Sequence, residues 1–544
     1  MDVSVIVRFH DEERYLEAVL RAIRAQRLPG RFEILAVDND SRDGSRRIAE
    51  RWADRVLTLS TYRPGRALNL AIEHARGRHV AVLSAHTIPA GDDWLARLRA
   101  PLDAPRLAGV YGGQLYNLHS RFLDKRDLDI FSTLEPRTER RDSDFWNANS
   151  MFPRSVWEQQ RFDETVYELE DHHWTKRLLP RGYEVRFEPR ALVYHYSHLD
   201  RLDREFLPPS PLSDDERIDE ALAELADPAA GWSRVMVAGL TLSSLTRAPG
   251  IGRAVPALGR HLADHWDFDV RWRMAQALGK IPGRDAIRHL VGALTDRSFY
   301  PRDEAAWALA RHGATAVPEI LAAVPRLPAD CRPFAALALG LSGTERGQRE
   351  GVALLAGDAG GGLAADSPRE RRDAAYFAGE LAGATPAVRL VPRLASLIDG
   401  GPELARVACW ALGCFAGRAA VDWRPILRHA GQHPDPLVRF EAVVALGKRA
   451  RAGGAAGELL RPLLAACGDP QGRVRYGAVQ SLRLLAEAGL PTPVPAWLED
   501  DPDFGVRYES ALLAAAGTMP APPSAAWRTT GAAVGEEHGG SSRP

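Results

Sequence analysis

A chain of 544 residues is too long for a single hydrophobic core and points to two or three domains. Its 70 basic and 71 acidic side chains leave a formal net charge of −1, which argues against nucleic acid as a general partner and against an acidic tail. No run approaches the roughly 18 apolar residues of a membrane helix, so no transmembrane segment is expected, while a membrane-bound acceptor stays open.

Val3–Val7 is a short β-branched run, and a strand this early implies that no signal peptide precedes the fold. Asp11-Glu12-Glu13 opens an amphipathic helix with Leu16, Val19, Leu20 and Ile23 on one face, and Pro29-Gly30 breaks it. Phe32–Val37 reads as a second buried strand ending in Asp38-Asn39-Asp40-Ser41-Arg42-Asp43-Gly44, followed by a helix from about Ser45 to Trp52. Val56–Leu59 is a third strand, and the helix after Arg63-Pro64-Gly65 runs through Leu68, Ile72 and Ala75. Val80–Leu83 is the fourth strand; Ser84-Ala85-His86 ends it and Thr87-Ile88-Pro89 stops it. Strands alternating with helices of this length imply right-handed βαβ units and a mostly parallel sheet.

Polar residues where parallel strands leave a sheet lie where open α/β folds hold ligands. Asp38 and Asp40 suit the N–H of a nucleobase or a ribose hydroxyl, and they equally suit a turn and helix cap; the residues alone leave both readings open. Residues 119–143 are charged without a clear element, either a lid over the site or a plain surface loop.

Taken as a set and in order, Val3–Val7, Asp11–Leu16, Val37–Ser45, Gly65-Arg66-Ala67-Leu68-Asn69 and Ala75-Arg76-Gly77 resemble the family 2 glycosyltransferases, over about residues 2–200. So do Phe145–Arg154, Phe162-Asp163-Glu164 and Glu170-Asp171. The resemblance implies an α/β GT-A fold, Rossmann-like with a mostly parallel sheet, and a nucleoside-diphosphate sugar as donor. It places Asp38 and Asp40 on base and ribose, Arg8 and Phe9 along the nucleotide, and Arg66 and Asn69 beside the diphosphate. Trp146, Asn147 and Asn149 fall on the acceptor side. Asp171 takes the place of the base in an inverting single displacement, with Glu170 orienting acceptor or backbone. A carboxylate within reach of the acceptor hydroxyl is what such a transfer needs, although a carboxylate pair also suits a helix start. His172 and His173 are expected at the surface. The processive synthase pattern Gln-x-x-Arg-Trp is missing after Gly182, which implies one sugar per encounter.

One departure stands out. Where the family carries Asp-x-Asp, this chain has Ser84-Ala85-His86. The triplet resembles the Asp-x-His of the polypeptide N-acetylgalactosaminyltransferases, also followed by Trp-Leu, here Trp94-Leu95. That likeness implies a divalent metal, Mn2+ or Mg2+, held by His86 with His195 or His198. The other reading has Ser84 and His86 hydrogen-bonding the diphosphate directly, with Arg side chains and helix N-termini supplying charge.

Leu207–Glu216 reads as a linker, and helical periodicity resumes at Ile218–Leu225 and Val235–Leu245, so residues 206–249 are expected to be a linker and connecting helices. From about 250 to 518 the chain is helical and repetitive. Val270-Arg271, Val438-Arg439, Val474-Arg475 and Val506-Arg507 mark copies. The positions eight residues after the Arg, or their equivalents, are Gly279, Ala310, Gly340, Gly379, Gly413, Gly447, Arg483 and Ala515, 30 to 39 residues apart. This resembles short bacterial HEAT-like repeats, a solenoid whose units bury a core only by stacking. Each Arg is expected to bond the preceding Asp turn. Cys331, Cys409, Cys414 and Cys467 lie here without metal-ligand spacing and read as free thiols of a reducing, cytoplasmic compartment. Residues 519–544 are Pro-, Ala-, Gly- and Ser-rich, as a disordered tail would be.

The expectation is a cytoplasmic, bacterial-type glycosyltransferase domain (residues 1–205) with a HEAT-like arm. The arm would bind a peptide, protein or small-molecule acceptor, dock a partner, or form a homodimer scaffold. The alternative is a nucleotide-sugar-binding scaffold in which the altered triplet has disabled transfer. A nucleotidyltransferase would want a Gly-rich N-terminal loop, which is missing.

Overall fold

Two parallel neighbours flank the first strand, Val3–Phe9 (β1): Phe32–Asp38 (β2) on one side and His79–Ser84 (β4) on the other. The computed structural model describes residues 1–117, 133–141, 143–196, 210–358, 360–453 and 456–516. Arg55–Thr58 (β3) pairs parallel with β2. The remaining strands are Thr87–Pro89 (β5), Leu107–Tyr116 (β6), Arg137–Glu139 (β7), Asn149–Pro153 (β8) and Glu184–His195 (β9). The order is β3-β2-β1-β4-β8-β6-β9-β5, with β7 also on β9. The β3-β2-β1-β4 half is wholly parallel; β8 runs antiparallel to both β4 and β6, and β6 and β9 are parallel. Thr87-Ile88-Pro89, expected only as a strand stop, forms β5 and pairs antiparallel with His195, Tyr194 and Val193.

The parallel strands are buried on both faces, which is why they read as unbroken apolar runs. On one face Val5, Val7, Ile34 and Ala36 pack with Leu16, Val19, Leu20 and Ile23 of the helix Glu13–Arg24. On the other, Ile6, Val37, Val80 and Val82 pack with Leu68 and Ile72 of the helix Pro64–His74 and with Trp174 and Leu178 of the helix Glu170–Leu178. Since β1, β2 and β4 share a register, Arg8 stands beside Val37 and Ser84, and Phe9 beside Asp38. The polar ends of three strands therefore form one row.

The helical part begins earlier than residue 250. Asp214–Ala226, with Ser213 and Glu216 closing a capping box, and Trp232–Ser244 contribute Ile218, Leu225, Val235 and Met236 to the same hydrophobic cluster as the repeats. These connecting helices form the first layer of the stack. The eight repeat helices among the described residues run from Phe268–Lys280 to Phe504–Ala516 and stack in sequence. A Cβ at Gly279 would lie 2.6 Å from the Cβ of Ala308, so the small position sets how closely neighbouring helices approach.

The repeat Arg bonds the preceding turn, as expected, through its backbone carbonyls, and reaches the next turn as well. Arg271, Arg439 and Arg475 donate to the carboxylate of the next turn bidentately, at Asp296 (2.6 and 2.8 Å), Asp469 (2.7 and 3.0 Å) and Asp501 (2.8 and 2.8 Å). Backbone carbonyls of the preceding turn, His265, His433 and Asp469, take the remaining N–H groups at 2.8 Å. Each Arg thus ties two successive repeats, and the planar guanidinium fork suits that geometry.

The stack touches the α/β part at both of its ends. Near its start, Lys176 lies between Asp267 (2.6 Å) and Asp269, and the His173 ring stacks on Trp232 at 4.8 Å. At its end, Tyr194 stacks on Tyr476 at 3.9 Å and donates to Asp503 at 2.6 Å, while Tyr196 donates to Glu509 at 3.0 Å. No helix among the described residues is long and apolar enough to cross a membrane. All four cysteines are unpaired. The expected tail (519–544), His198 and most of the expected lid lie outside the described residues.

Candidate functional site

The row of strand ends is the floor of the site. Asp38 is buried at the end of β2, where its carboxylate accepts from the Ser41 N–H (3.0 Å) and from Arg46 (3.2 Å). The turn it organises exposes Asp40, whose φ of 56° is left-handed, a conformation that Asp tolerates. Arg66 is exposed on the first turn of the helix Pro64–His74.

Three residues expected around the ligand serve the fold instead. Phe9 is buried in the core and only its carbonyl reaches the following loop, accepting from the Asn39 N–H at 3.0 Å. Asn69 spends its amide within the protein. It donates to the Phe162 carbonyl (3.0 Å) and Glu164 (2.8 Å) and accepts from Trp157 (2.9 Å) and the Phe162 N–H (3.3 Å). Gly65 serves the same contact, since a Cβ there would lie 2.2 Å from the Asp163 carbonyl. Asn149 is fully buried, donating to the carbonyls of Gly113 (2.9 Å) and Ala191 (2.8 Å) and accepting from Trp94 (2.8 Å); it locks β8 to its neighbours and does not face an acceptor.

The acidic pair stands across this floor, on the first turn of the helix Glu170–Leu178. Leu169 before it is held at φ 53°, an αL conformation that costs a β-carbon-bearing residue about 1–2 kcal/mol and sets the helix start. The two carboxylates diverge, as neighbours on a helix do. Glu170 pairs with Arg8 at 3.0 Å and accepts from Asn147 Nδ2 at 3.3 Å, so it joins the acidic turn to the end of β1. Asp171 receives the Asn147 N–H at 2.7 Å and the His172 N–H at 3.0 Å, one on each oxygen. Burial, then the charge of Glu170, push the Asp171 carboxyl up to about 6, against the pull of His172 and the two N–H donors. A carboxylate with that value is ionised at neutral pH and is still basic enough to take a proton.

His172 and His173 are buried, not exposed. His172 packs edge-on against the half-buried ring of Trp146 at 4.8 Å, and its Nδ1 meets Asp269 of the first repeat helix at 3.1 Å. Burial lowers the His172 imidazole, but Asp269 and then Asp171 raise it further, to about 9. His173 sits between Trp232 and Asp163, and burial pushes it down to about 4.

Ser84 and His86 close the row. Ser84 ends β4 beside Arg8, its N–H bonded to the Ala148 carbonyl at 3.3 Å. His86 Nδ1 meets Glu12, a side chain only 3% exposed, at 3.1 Å. His195 lies over His86 with ring centroids 5.0 Å apart and 22° between planes, its Nδ1 at 2.8 Å from Gln114. The two imidazoles therefore stack, and among the described residues no group of three or more His, Cys, Asp or Glu side chains is gathered to hold a metal. The expected pair His86–His195 is together in space, and His198, the other expected ligand, lies outside the described residues.

Glu12, Arg8 as a partner of Glu170, and Asp269 were not legible as site residues. Glu12 reads as one of three acids opening a helix. Asp269 lies 98 positions after Asp171 in a repeat whose pattern speaks only of stacking.

The glycosyl transferase family 2 model matches residues 4–161, and the HEAT repeat model matches residues 255–340 and 389–483. Over 202 residues the chain is 25% identical to the glycosyltransferase AglE of Haloferax volcanii; the match takes in 36% of this chain and 66% of that protein, just under two thirds of its length. Among solved structures, the chain is similar to a TarS fragment from S. aureus, with 16% identity, 57% of this chain and 88% of the other covered, and a TM-score of 0.31. It is also similar to the mannosyltransferase PcManGT from Pyrobaculum calidifontis, solved with GDP-Man and Mn2+, with 20% identity, 54% and 88% covered, and a TM-score of 0.31. The chain thus carries a glycosyl transferase family 2 domain over residues 4–161 and HEAT repeats in its helical part.

Proposed function

We propose that the chain transfers a sugar from a nucleoside-diphosphate donor to an acceptor hydroxyl, by a single displacement with inversion. The observation that carries this is Asp171, a buried carboxylate tuned upward, oriented by two backbone N–H groups, and tied through Glu170 and Arg8 to the strand ends. The nucleoside lies along Asp38 and Asp40, and the diphosphate lies by Ser84, His86 and Arg66. The acceptor hydroxyl approaches over Trp146 and Asn147. As its oxygen forms the bond to the anomeric carbon, its proton passes to an Asp171 oxygen. The bond from the anomeric carbon to the diphosphate breaks, and its electron pair leaves with the nucleoside diphosphate. The acceptor is a peptide, protein or small molecule bound with help from the helical stack, and the reaction takes place in the cytoplasm, one sugar per encounter.

The test is nucleotide release from a panel of nucleoside-diphosphate sugars, with and without candidate acceptors, in the wild type and Asp171→Asn. Turnover lost in the variant while donor binding persists supports the reading. No turnover in the wild type with any donor, beside intact donor binding, overturns it in favour of a nucleotide-sugar-binding scaffold.

A further inference from the structure

The helix that carries Asp171 is held from outside its own domain. Its third and seventh side chains, His172 and Lys176, both end on Asp269, which stands in the first turn of the repeat helix Phe268–Lys280. Asp269 is 4% exposed, and Lys176 also reaches Asp267 at 2.6 Å. Asp267 in turn caps the repeat helix, accepting from the Asp269 N–H at 3.0 Å and the Val270 N–H at 3.2 Å. The other side of His172 faces Trp146 at 4.8 Å, and its backbone N–H is one of the two that hold Asp171. A single residue thus receives a repeat-domain carboxylate on its side chain and gives its N–H to the candidate base.

We propose that Asp269 of the helical stack is a positioning residue for transfer: through His172 and Lys176 it fixes the first turn of the helix Glu170–Leu178 and keeps a cation beside Asp171. The proposal rests on the reading of Asp171 as base. It gives the HEAT repeats a part in the chemistry itself, independent of what their surface binds. A cluster of buried charges is a poor source of stability against apolar packing, whereas its directed ion pairs fix geometry. The groups facing His172 and Asp171 are Asp269, Lys176, Glu170 and Arg8, with Asp267 behind Lys176.

The charge states agree with this arrangement. Burial raises the Asp269 carboxyl, but His172 and Lys176 outweigh it and hold it at about 2. Asp269 is lowered from its ordinary value, so its contribution is present above about 4 and lost as pH falls through 2. His172 is raised, so its contribution is present below 6.5 and lost as pH rises through about 9. Between about pH 5 and 8 the pair stays charged, and within this cluster the Asp171 carboxyl, at about 6, is the group that titrates there.

The experiment is a pH profile of kcat, with the donor KM and the melting temperature, for the full chain as wild type, Asp269→Asn, Asp503→Asn and Asp171→Asn. Asp269→Asn leaves His172 without its counter-charge, so the imidazole deprotonates and stops favouring the Asp171 anion. The acid limb of kcat should move up by about one pH unit, and the plateau should fall about tenfold, with the donor KM within about twofold of wild type. Asp503→Asn removes a carboxylate from the contact at the far end of the stack and should leave the limb in place. If Asp269→Asn keeps the wild-type limb and plateau while Asp171→Asn is inactive, the positioning role is overturned and the base stands. An equal shift in both interface variants overturns it too, since general docking would then be the cause. If Asp171→Asn stays active, the base reading itself has failed. Should Asp269→Asn not fold, His172→Gln is the substitute, with the same limb shift expected.

Discussion

The two ends of the helical stack meet the α/β domain with different balances of charge and aromatic packing. At the first, the contact is ionic and buried: Lys176 and His172 against Asp267 and Asp269, with Arg273 paired to Glu168. At the last it centres on aromatic rings, Tyr194 on Tyr476 and Tyr508 edge-on to Tyr196 at 5.3 Å, with Tyr194 and Tyr196 donating to Asp503 and Glu509. Buried ion pairs lose much of their attraction to desolvation, while aromatic pairs combine large apolar area with a favourable ring geometry. The aromatic end therefore anchors the stack, and the ionic end, which lies against the helix of Asp171, sets geometry. If Asp171 is the base, chemistry and stability are separated along one solenoid.

The strongest way to break this separation is at the base. Asp171→Asn is expected to lower kcat by roughly 10²–10⁴-fold with the melting temperature unchanged or raised, because it removes a buried charge raised to about 6. A variant that loses stability in step with activity would mean that Asp171 is a structural cap. Tyr476→Ala is the counterpart at the anchor. Tyr476 is fully buried, so its truncation should cost about 3–5 kcal/mol in chemical denaturation, while kcat of the molecules still folded stays near wild type. A loss of kcat at temperatures well below the melting point would blur the division between the two ends.

The pH profile sharpens the comparison without a mutation. A base must be ionised, and Asp171 sits at about 6, so kcat should fall about tenfold per pH unit below that value and level off above it. An acid limb near the ordinary carboxylate range would say that Asp171 is not buried during turnover. The smallest effect is expected at His86. His86→Ala should weaken donor binding severalfold, about 1 kcal/mol, equally in EDTA and in Mn2+, as read by titration calorimetry. A loss seen only with Mn2+ present would make His86 a metal ligand after all.

Much of this molecule is local in origin. The strands β1 to β4, the helices between them, and the α/β GT-A domain followed by a HEAT-like solenoid follow from apolar periodicity and turn residues that are read a few positions at a time. The motif order also picked out Asp38, Glu170 and Asp171, and the structure brings the acidic pair to the strand ends through the Arg8–Glu170 contact. Asn69 and Asn149 show the limit. Each sits in a motif that suggests a ligand, yet each is saturated by carbonyls and side chains between 36 and 95 positions away. Whether a polar side chain is spent inside the fold depends on which distant groups arrive within 3 Å or so of it, and no window of sequence contains that.

The sequence by itself determined the elements, their order and the repeat, because those depend on the spacing of apolar residues along the chain. Only the tertiary structure decided that the solenoid closes back on the α/β domain through Tyr194 and Tyr196, and that His172 is buried against Asp269. It also decided that His86 and His195 stack. Those outcomes depend on desolvation and on partners supplied from far along the chain, which are properties of the packed molecule and of no segment within it.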